Sequence, residues 1–591
     1  MQGIRNRTLS VSIVLALIIS MFTLMQEGTF FTAEAADPPK PKWTYTVSQD
    51  GTLTLSGELA ALCLRDLADD ESIKKIVFTD GTKMPEDCMM LFEDFYAQSI
   101  DFSGTDWSKV TRVYDMFIDS KFTEIKMGTA KNTSKIKDFS NMFYCAHKAV
   151  TIDISTLDVS SAEDLTDMFH YCDALTTLKI PAKKAKKVKQ AGRLFYACKS
   201  LPSLDLSWLD TSNTTDFDGM FQYCESITKL DISLLSFESA LSMKNMFAWD
   251  KALLSVSFKN KNAYYCQDFR EMFRGCEKLT SVDFTGFIAS SAMYLGMMFA
   301  YCYELRSLDL TGFDVSNATN FAEMFLDCKA LTDLDISTFE PRDLISIYGM
   351  FSGCNRLKKI DLTKFNTSKV TNFSSLFKGC YGLKELNITG LDTSNARNMS
   401  SMFERVQVIK NFTFADLDTS KVENMSNMFW NSGLVTADLT NLKTGALTNT
   451  KNMFYQNTYL TTIYAYDNLS FKNVTESTGM FGVCNSLVGG NGTPWSNSYT
   501  DKTYARVDKK SKPGYFTNVP YKKGDVNHDG AVDLNDYSDL AKHFAEWDGY
   551  DKIVYVKNAD LNNSGGADLE DLSILAKCLV DWDGYKEQYL K

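Results

Sequence analysis

Phenylalanine returns at a fixed interval along most of this chain. Phe117, Phe143, Phe169, Phe195, Phe221, Phe247, Phe273, Phe299, Phe325, Phe351, Phe377, Phe403 and Phe429 are each 26 residues apart. Phe92 precedes them by 25 residues, Phe454 follows after 25 and Phe481 after 27, which makes sixteen copies. A constant period of this length means one supersecondary unit per turn of a solenoid. No single copy can bury its own apolar face, so the array folds only as a stack closed by caps.

The spacing inside one copy predicts its parts. Phe321, Met324, Phe325 and Cys328 fall at i, i+3, i+4 and i+7, as do Phe217, Met220, Phe221 and Cys224, and Phe373, Leu376, Phe377 and Cys380. That pattern predicts a short helix with one apolar face. Leu334-Asp335-Ile336 alternates as a half-buried strand does, Phe339 fills the corner, and Asn366-Thr367-Ser368 supplies turn chemistry in the next copy. The expected fold class is therefore an α/β solenoid, with one parallel strand and one short helix per turn. Sixteen turns at ~4.8 Å would make a stack roughly 75 Å long.

Both ends depart from the period. Residues 1–36 read as a secretory signal peptide: Arg5 and Arg7, then the apolar run Val11 to Met25, then Ala33-Glu34-Ala35. The run is shorter than the ~20 residues that span a bilayer, and the first cysteine, Cys63, lies too far away to carry a lipid anchor. Residues 37–91 are expected to form an N-terminal β cap containing a hairpin within Trp43 to Leu55. Residues 92–484 are the solenoid, and residues 485–519 a C-terminal cap and linker that includes Tyr504 to Asp508 and Pro513 to Phe516. The 26-residue period, the Met-Phe-x-x-Cys core, the Leu-Asp-Leu strands, the Asp-Thr-Ser turns and the Pro-Gly-Tyr-Phe ending resemble bacterial leucine-rich-repeat surface proteins of the BspA type. That resemblance implies surface display and binding of protein or host surfaces.

Fourteen cysteines in an exported chain would ordinarily suggest disulfides. Here Cys172, Cys198, Cys224, Cys276, Cys302, Cys328, Cys354, Cys380 and Cys484 all sit three residues after a repeat phenylalanine. Side chains stacked one turn apart point in parallel, ~4.8 Å from Cβ to Cβ, beyond disulfide range. Buried free thiols are expected, and with them a reducing or anoxic habitat. Asp153, Asp205, Asp231, Asp283, Asp309, Asp335 and Asp361, followed by Asn387, share one outward strand position. They form either a solvated face relieved by Lys229, Lys359 and loop hydrogen bonds, or an acidic strip facing a ligand. Tyr171, Tyr223 and Tyr301 share a position, but other turns carry Gly or Asp there, so no aromatic ladder is expected.

Residues 520–591 are a different module, with a 35-residue duplication. Asp525, Asn527, Asp529, Asp533 and Asp536 occupy positions 1, 3, 5, 9 and 12 of a calcium loop, with Gly530 at the bend and the Ala531 carbonyl at position 7. Asp560, Asn562, Ser564, Asp568 and Asp571 do the same in the second loop, with Gly565 at the bend and the Gly566 carbonyl following. Ser564 replaces a stronger donor, which predicts weaker binding there. Each loop feeds a helix, at Tyr537 to Phe544 and at Leu572 to Leu579. Residues 523–591 hold 15 acids and 7 bases, so their −8 is most of the chain's −12; carboxylates gathered for cations account for it. A duplicated loop–helix with no helix before each loop resembles a dockerin, the module that plugs into cohesin domains of cellulosome-type scaffolds. The resemblance implies two structural Ca2+ ions. It also implies cohesin contacts at Leu534, Asn535, Ala541, Lys542, Leu569, Glu570, Ala576 and Lys577. Asn535 against Glu570, and His543 against Cys578, break the symmetry between the halves.

The net charge of −12, with 62 basic against 74 acidic residues, argues against a nucleic-acid partner. Four histidines, two in repeats and two in the C-terminal module, make no zinc spacing or nucleophile–histidine pattern. The expectation is an exported, non-catalytic binding protein without an integral membrane segment in its mature form. Its solenoid would recognise a protein or surface ligand while the dockerin holds it to a cohesin-bearing scaffold, at the cell surface or in an extracellular complex. The alternatives are a carbohydrate-binding arm that assists polysaccharide breakdown and, third, a cryptic glycoside hydrolase.

Overall fold

A computed structural model describes residues 42–519, 522–527, 531–545, 556–564 and 566–590. The signal segment 1–36 lies outside the described residues, as do His528, Asp529, Gly530, Gly565 and both chain ends. Contacts divide the chain into Met1–Thr44 and Tyr45–Lys591; the second unit holds the repeats and the C-terminal module.

The repeats form a β-solenoid of about sixteen turns. Its core is a column of stacked rings, beginning with Phe92, Phe117 and Phe143 at centroid spacings of 5.6 and 5.2 Å. The column continues without a gap to Phe454 and Phe481, which lie 5.9 Å apart with planes 2° from parallel. Every repeat phenylalanine is fully buried. Near-parallel rings at this spacing follow from the spacing of the turns themselves.

Each turn contributes one short strand. β1 (Trp43–Val47), β2 (Thr52–Gly57), β3 (Lys75–Phe78), β4 (Ser99–Asp101), β5 (Glu124–Lys126), β6 (Thr151–Asp153) and β7 (Thr177–Lys179) make one sheet in that order. β2 already pairs in parallel with β3, Leu53 opposite Ile76. A turn at Gly51, whose N–H donates to Ser48 O at 3.0 Å, precedes it. β8 (Ser255–Ser257) pairs with β9 (Ser281–Asp283), β10 (Ser307–Asp309) with β11 (Asp333–Asp335), and β12 (Lys359–Asp361) with β13 (Glu385–Asn387). β14 (Asn411–Thr413), β15 (Thr436–Asp438), β16 (Thr462–Ala465) and β17 (Phe516–Asn518) close the array.

The expected long sheet is thus five shorter ones, and one gap has a visible cause. Thr176 N–H donates to Val150 O at 3.0 Å, and Thr280 N–H to Leu254 O at 3.0 Å. Pro202 stands at the same repeat position and has no N–H to give, so the ladder lapses through residues 201–206. Between β11 and β12 the strands separate around a cleft of about 280 Å³ that reaches Phe351.

The expected short helices are not there. In their place runs a string of tight turns with a left-handed residue two positions before and two after each repeat phenylalanine, as at Glu323 (φ 54°) and Asp327 (φ 58°). Met324, Leu326 and Cys328 N–H groups bond within the turn, to Phe321, Glu323 and Phe325 carbonyls. The alternate groups of Phe321, Glu323, Phe325 and Asp327 bond the next turn instead, at Ser346, Tyr348, Met350 and Ser352. An α-helix would keep every bond within its own segment. Here half are spent on the neighbouring copy, and the same apolar spacing still faces inward.

Candidate functional site

Three surfaces carry the residues of interest. On the strand face, the aspartates serve the backbone. Asp153 Oδ1 accepts from Ser155 N–H (3.1 Å), Asp231 from Ser233 (2.8 Å), Asp335 from Ser337 (3.0 Å) and Asp361 from Thr363 (3.1 Å). These Asx turns end each strand. The bonds from Ser233 hold Asp231 below the usual carboxylate range, and those from Ser337 do the same for Asp335. Lys179 Nζ lies 2.9 Å from Asp153, while Lys359 pairs with Glu385 at 3.7 Å. The face is a solvated one whose carboxylates are occupied by loop hydrogen bonds.

The second surface corrects the expectation about aromatics. Residues one and two places after the repeat phenylalanine build a continuous aromatic band. Tyr144 meets His170 at 5.0 Å, His170 meets Tyr196 at 4.3 Å, and Tyr196 meets Tyr223 at 5.4 Å. Tyr223 lies parallel to Trp249 at 6.4 Å, and Trp249 to Tyr301 at 6.4 Å. Arg274 sits over both, 5.4 Å from the Trp249 ring and 5.7 Å from that of Tyr301. The tyrosine and tryptophan rings are half-buried. Burial pushes the Tyr144 and Tyr196 hydroxyls up to about 12, so both stay protonated donors. The band's His170 bonds the Asp167 carboxylate, which the exposed Arg193 also grips at 2.8 and 2.6 Å. Burial opposes the Asp167 charge, but those bonds outweigh it and hold the group below its ordinary range. Reading one repeat column at a time hides this band, because it changes column once, from one place after the repeat phenylalanine at Tyr196 to two places after it at Tyr223.

The third surface is the C-terminal module, which has its own core of Val526, Leu540, Ala559, Leu561, Ile574, Leu575 and Cys578. Its helices span Leu534–Phe544 and Leu569–Leu579. Asp533 and Asp568 cap them, each in a reciprocal box with Asp536 or Asp571 three residues on. The two loops repeat one hydrogen-bond plan. Asp536 Oδ1 accepts from Val526 and Asn527 N–H at 2.7 and 3.1 Å, and Asp571 Oδ1 from Leu561 and Asn562 at 2.8 and 3.1 Å. Asp525, Asp536 and Asp571 are buried, Asn527, Asp533, Asp560, Asn562 and Gly566 are half-buried, and Ala531, Ser564 and Asp568 are exposed. Asp529 lies outside the described residues. A one-turn helix, Val556–Ala559, stands directly before the second loop, where no helix was expected. Of the residues on the outer helix positions, Leu534 and Leu569 are 73 % and 69 % exposed, Asn535 and Glu570 are exposed, and Ala541 and Ala576 are half-buried. Lys542 lies 3.8 Å from Asp539, and Lys577 lies 4.7 Å from the Tyr585 ring.

A family model described as "Mycoplasma protein of unknown function, DUF285" matches residues 86–202, 176–287, 241–360, 267–386, 293–413 and 382–495. Those segments cover more than half of the chain. The chain belongs to the DUF285 family. No curated protein matches this DUF285 chain. Among solved structures, it is similar to a leucine-rich cell surface protein from Faecalibacterium prausnitzii. The identity is 15 % and the TM-score 0.31, over 74 % of this chain and 97 % of that one. A leucine-rich-repeat protein from Eubacterium ventriosum also matches at 15 % identity and a TM-score of 0.24, over 75 % and 93 % of the two chains. The functional domain of InlJ from Listeria monocytogenes, which includes a cysteine ladder, matches at 14 % identity and a TM-score of 0.13, over 72 % and 70 %. At these identities and TM-scores no function transfers. Among the described residues, no helix is long and apolar enough to cross a membrane.

Proposed function

We propose that this DUF285 chain is an exported, non-catalytic binding protein whose C-terminal module docks it, in calcium, onto a cohesin-bearing scaffold. The observation that carries the docking reading is the matched pair of capped helices, each opening on a leucine left exposed at the same place, Leu534 and Leu569. Apolar side chains this exposed, repeated on two equivalent helices, suit a partner that buries them. Asn535, Ala541, Lys542, Glu570, Ala576 and Lys577 would flank the contact.

The donor set of both loops fits a hard cation, since it is all oxygen. Asp525, Asn527, Asp529, the Ala531 carbonyl, Asp533 and Asp536 would hold one Ca2+ ion. Asp560, Asn562, Ser564, the Gly566 carbonyl, Asp568 and Asp571 would hold the other. The ions would pin each loop against its helix; the binding surface itself is made by the chain's own side chains.

The test exposes tagged full-length protein, and a chain ending at Pro520, to purified cohesins of several classes with and without EDTA. Capture by the full-length chain alone, abolished by EDTA and by the pair Leu534→Asp and Leu569→Asp, is expected. Failure of every cohesin, or capture indifferent to EDTA, overturns the reading.

For the solenoid, the aromatic band favours the carbohydrate-binding arm over a protein ligand. The half-buried rings stack on one another and so present their edges and the tyrosine hydroxyls in series along one surface, which suits an extended sugar chain. Electrophoresis through gels containing soluble plant polysaccharides should retard the protein, and Trp249→Ala with Tyr301→Ala should remove the retardation. No retardation in any polysaccharide would leave a protein or surface ligand as the solenoid's partner.

A further inference from the structure

Cys145 and His147 break the repeat in a way the core does not require. Nine buried cysteines lie three residues after a repeat phenylalanine, whereas Cys145 lies two after Phe143, the only cysteine in the chain at that place. His147 is likewise the only histidine four places after a repeat phenylalanine. Stacking one turn on another brings them a carboxylate on each side. Asp119 occupies the Cys145 column one turn earlier, and Asp173 occupies the His147 column one turn later. One ligand atom from each of Asp119, Cys145 and His147 lies within 4.8 Å of the other two. His147 Nδ1 is 2.7 Å from Asp173 Oδ2. Asp173 is itself steadied by Lys199 Nζ at 2.9 Å.

We propose that Asp119, Cys145 and His147 form a binding site for one divalent transition metal of the zinc class, with Asp173 positioning the histidine. The donor types decide the metal. Carboxylate oxygen, thiolate sulfur and imidazole nitrogen together suit a borderline ion such as Zn2+, and not Ca2+ or Mg2+, which take oxygen alone. A carboxylate on Nδ1 fixes the ring and leaves Nε2 as the metal donor, the arrangement that accompanies metal-bound histidines. Ligands around tetrahedral zinc lie roughly 3.3–3.8 Å apart, so side-chain rotation of about 1 Å draws the three donors in. Binding releases the Cys145 thiol proton to solvent. Three protein ligands leave a fourth position, and with Asp119 and His147 exposed that position faces solvent. The site adjoins the aromatic band, since the His147 and Tyr171 rings are 5.9 Å apart. A ligand lying on the band could therefore supply the fourth donor.

Cobalt reads the site without any assumed activity. Reduced full-length protein, kept in excess Ca2+ so that the C-terminal loops are saturated, is titrated with Co2+. One equivalent should give a near-ultraviolet thiolate-to-cobalt band, displaced by Zn2+. Cys145→Ser should abolish the band, and His147→Gln and Asp119→Asn should each weaken cobalt binding at least tenfold. Asp173→Asn should weaken it about 10–100-fold while leaving the band's position unchanged. Thermal melts confirm that each variant is folded. Absence of a thiolate band in the wild-type protein, or a band that survives Cys145→Ser, overturns the proposal.

Discussion

Nine thiols three residues after the repeat phenylalanine donate to nine carbonyls. Cys302 Sγ bonds Phe273 O at 3.1 Å, and Cys328, Cys354 and Cys380 repeat the bond at 3.1, 3.2 and 3.1 Å. All fourteen cysteines are unbridged. The column also shows what substitutes. Asn457 Nδ2 reaches Phe429 O at 2.6 Å, whereas Asp250, 2 % exposed, puts a carboxyl group there and accepts from Cys224 N–H at 2.8 Å. Burial drives the Asp250 carboxyl well above its ordinary value. A carboxyl raised in the folded state gives its full stability below the unfolded value near 4 and loses it as pH rises. Asp250→Cys should therefore stabilise the protein by roughly 1–3 kcal/mol at neutral pH. The gain should widen from pH 4 to pH 8 in urea denaturation; a gain independent of pH would refute the reasoning. Accessibility also separates the thiols. Brief native alkylation followed by mass spectrometry should label Cys63 and Cys145, both partly exposed, well before any ladder cysteine.

At the scale of one repeat, burial spacing specified which side chains point inward but not how the backbone carries them. Phe321, Met324, Phe325 and Cys328 are all fully buried, as a helix face would be, yet the backbone is a run of turns. The distinguishing signal lay in the residues between them. Asn141, Gly219, Asn245, Gly275, Gly349, Gly353, Gly379, Asn427, Asn452 and Gly479 all fall two places from a repeat phenylalanine, at left-handed φ. Gly and Asn are the residues that tolerate that region, and a helix interior would disfavour them. The aromatic band was harder to foresee, because it passes from one column to another between Tyr196 and Tyr223 and skips Gly275. Gly275 ties the two observations together. Its φ is +73°, and a Cβ there would lie 2.4 Å from Trp249 Cε3. Gly275→Ala should cost roughly 1–3 kcal/mol and turn the Trp249 ring, read as a lower melting temperature with an altered near-ultraviolet circular dichroism spectrum. An unchanged spectrum would mean that the glycine does not seat the ring.

At the scale of the molecule, the period in the sequence predicted the stack of about sixteen turns that the repeats form; the loop spacing predicted a separate module, and the residues there share a hydrophobic cluster of their own. The proposed calcium sites rest on oxygen donors at regular places in the sequence. Because the C-terminal module has its own core, EDTA should lower one calorimetric transition and leave the solenoid's own transition in place. A single transition shifted as a whole would mean that the parts unfold together. Within the solenoid, Phe299→Ala removes a ring stacked at 5.4 Å on Phe273 and 6.0 Å on Phe325. It should cost about 3–5 kcal/mol and broaden the denaturation curve, since coupling in such arrays passes only between neighbours.

The turn segments also point one way. Phe221 N–H donates to Met246 O, Phe299 to Met324, Phe403 to Met428 and Phe454 to Met480, always from a turn to its successor. Peptide dipoles in ordinary sheets largely cancel. Here four per copy are aligned, so they add along the axis as they do in a helix, with the opposite sense: carbonyls face the amino-terminal end and amide hydrogens the carboxy-terminal end. The turn column is polarised, against strand-side bonds such as Thr176 N–H to Val150 O and Glu163 N–H to Lys137 O that run back to the preceding turn, and the Phe481 N–H group at its positive end is met by Thr500 O at 2.9 Å.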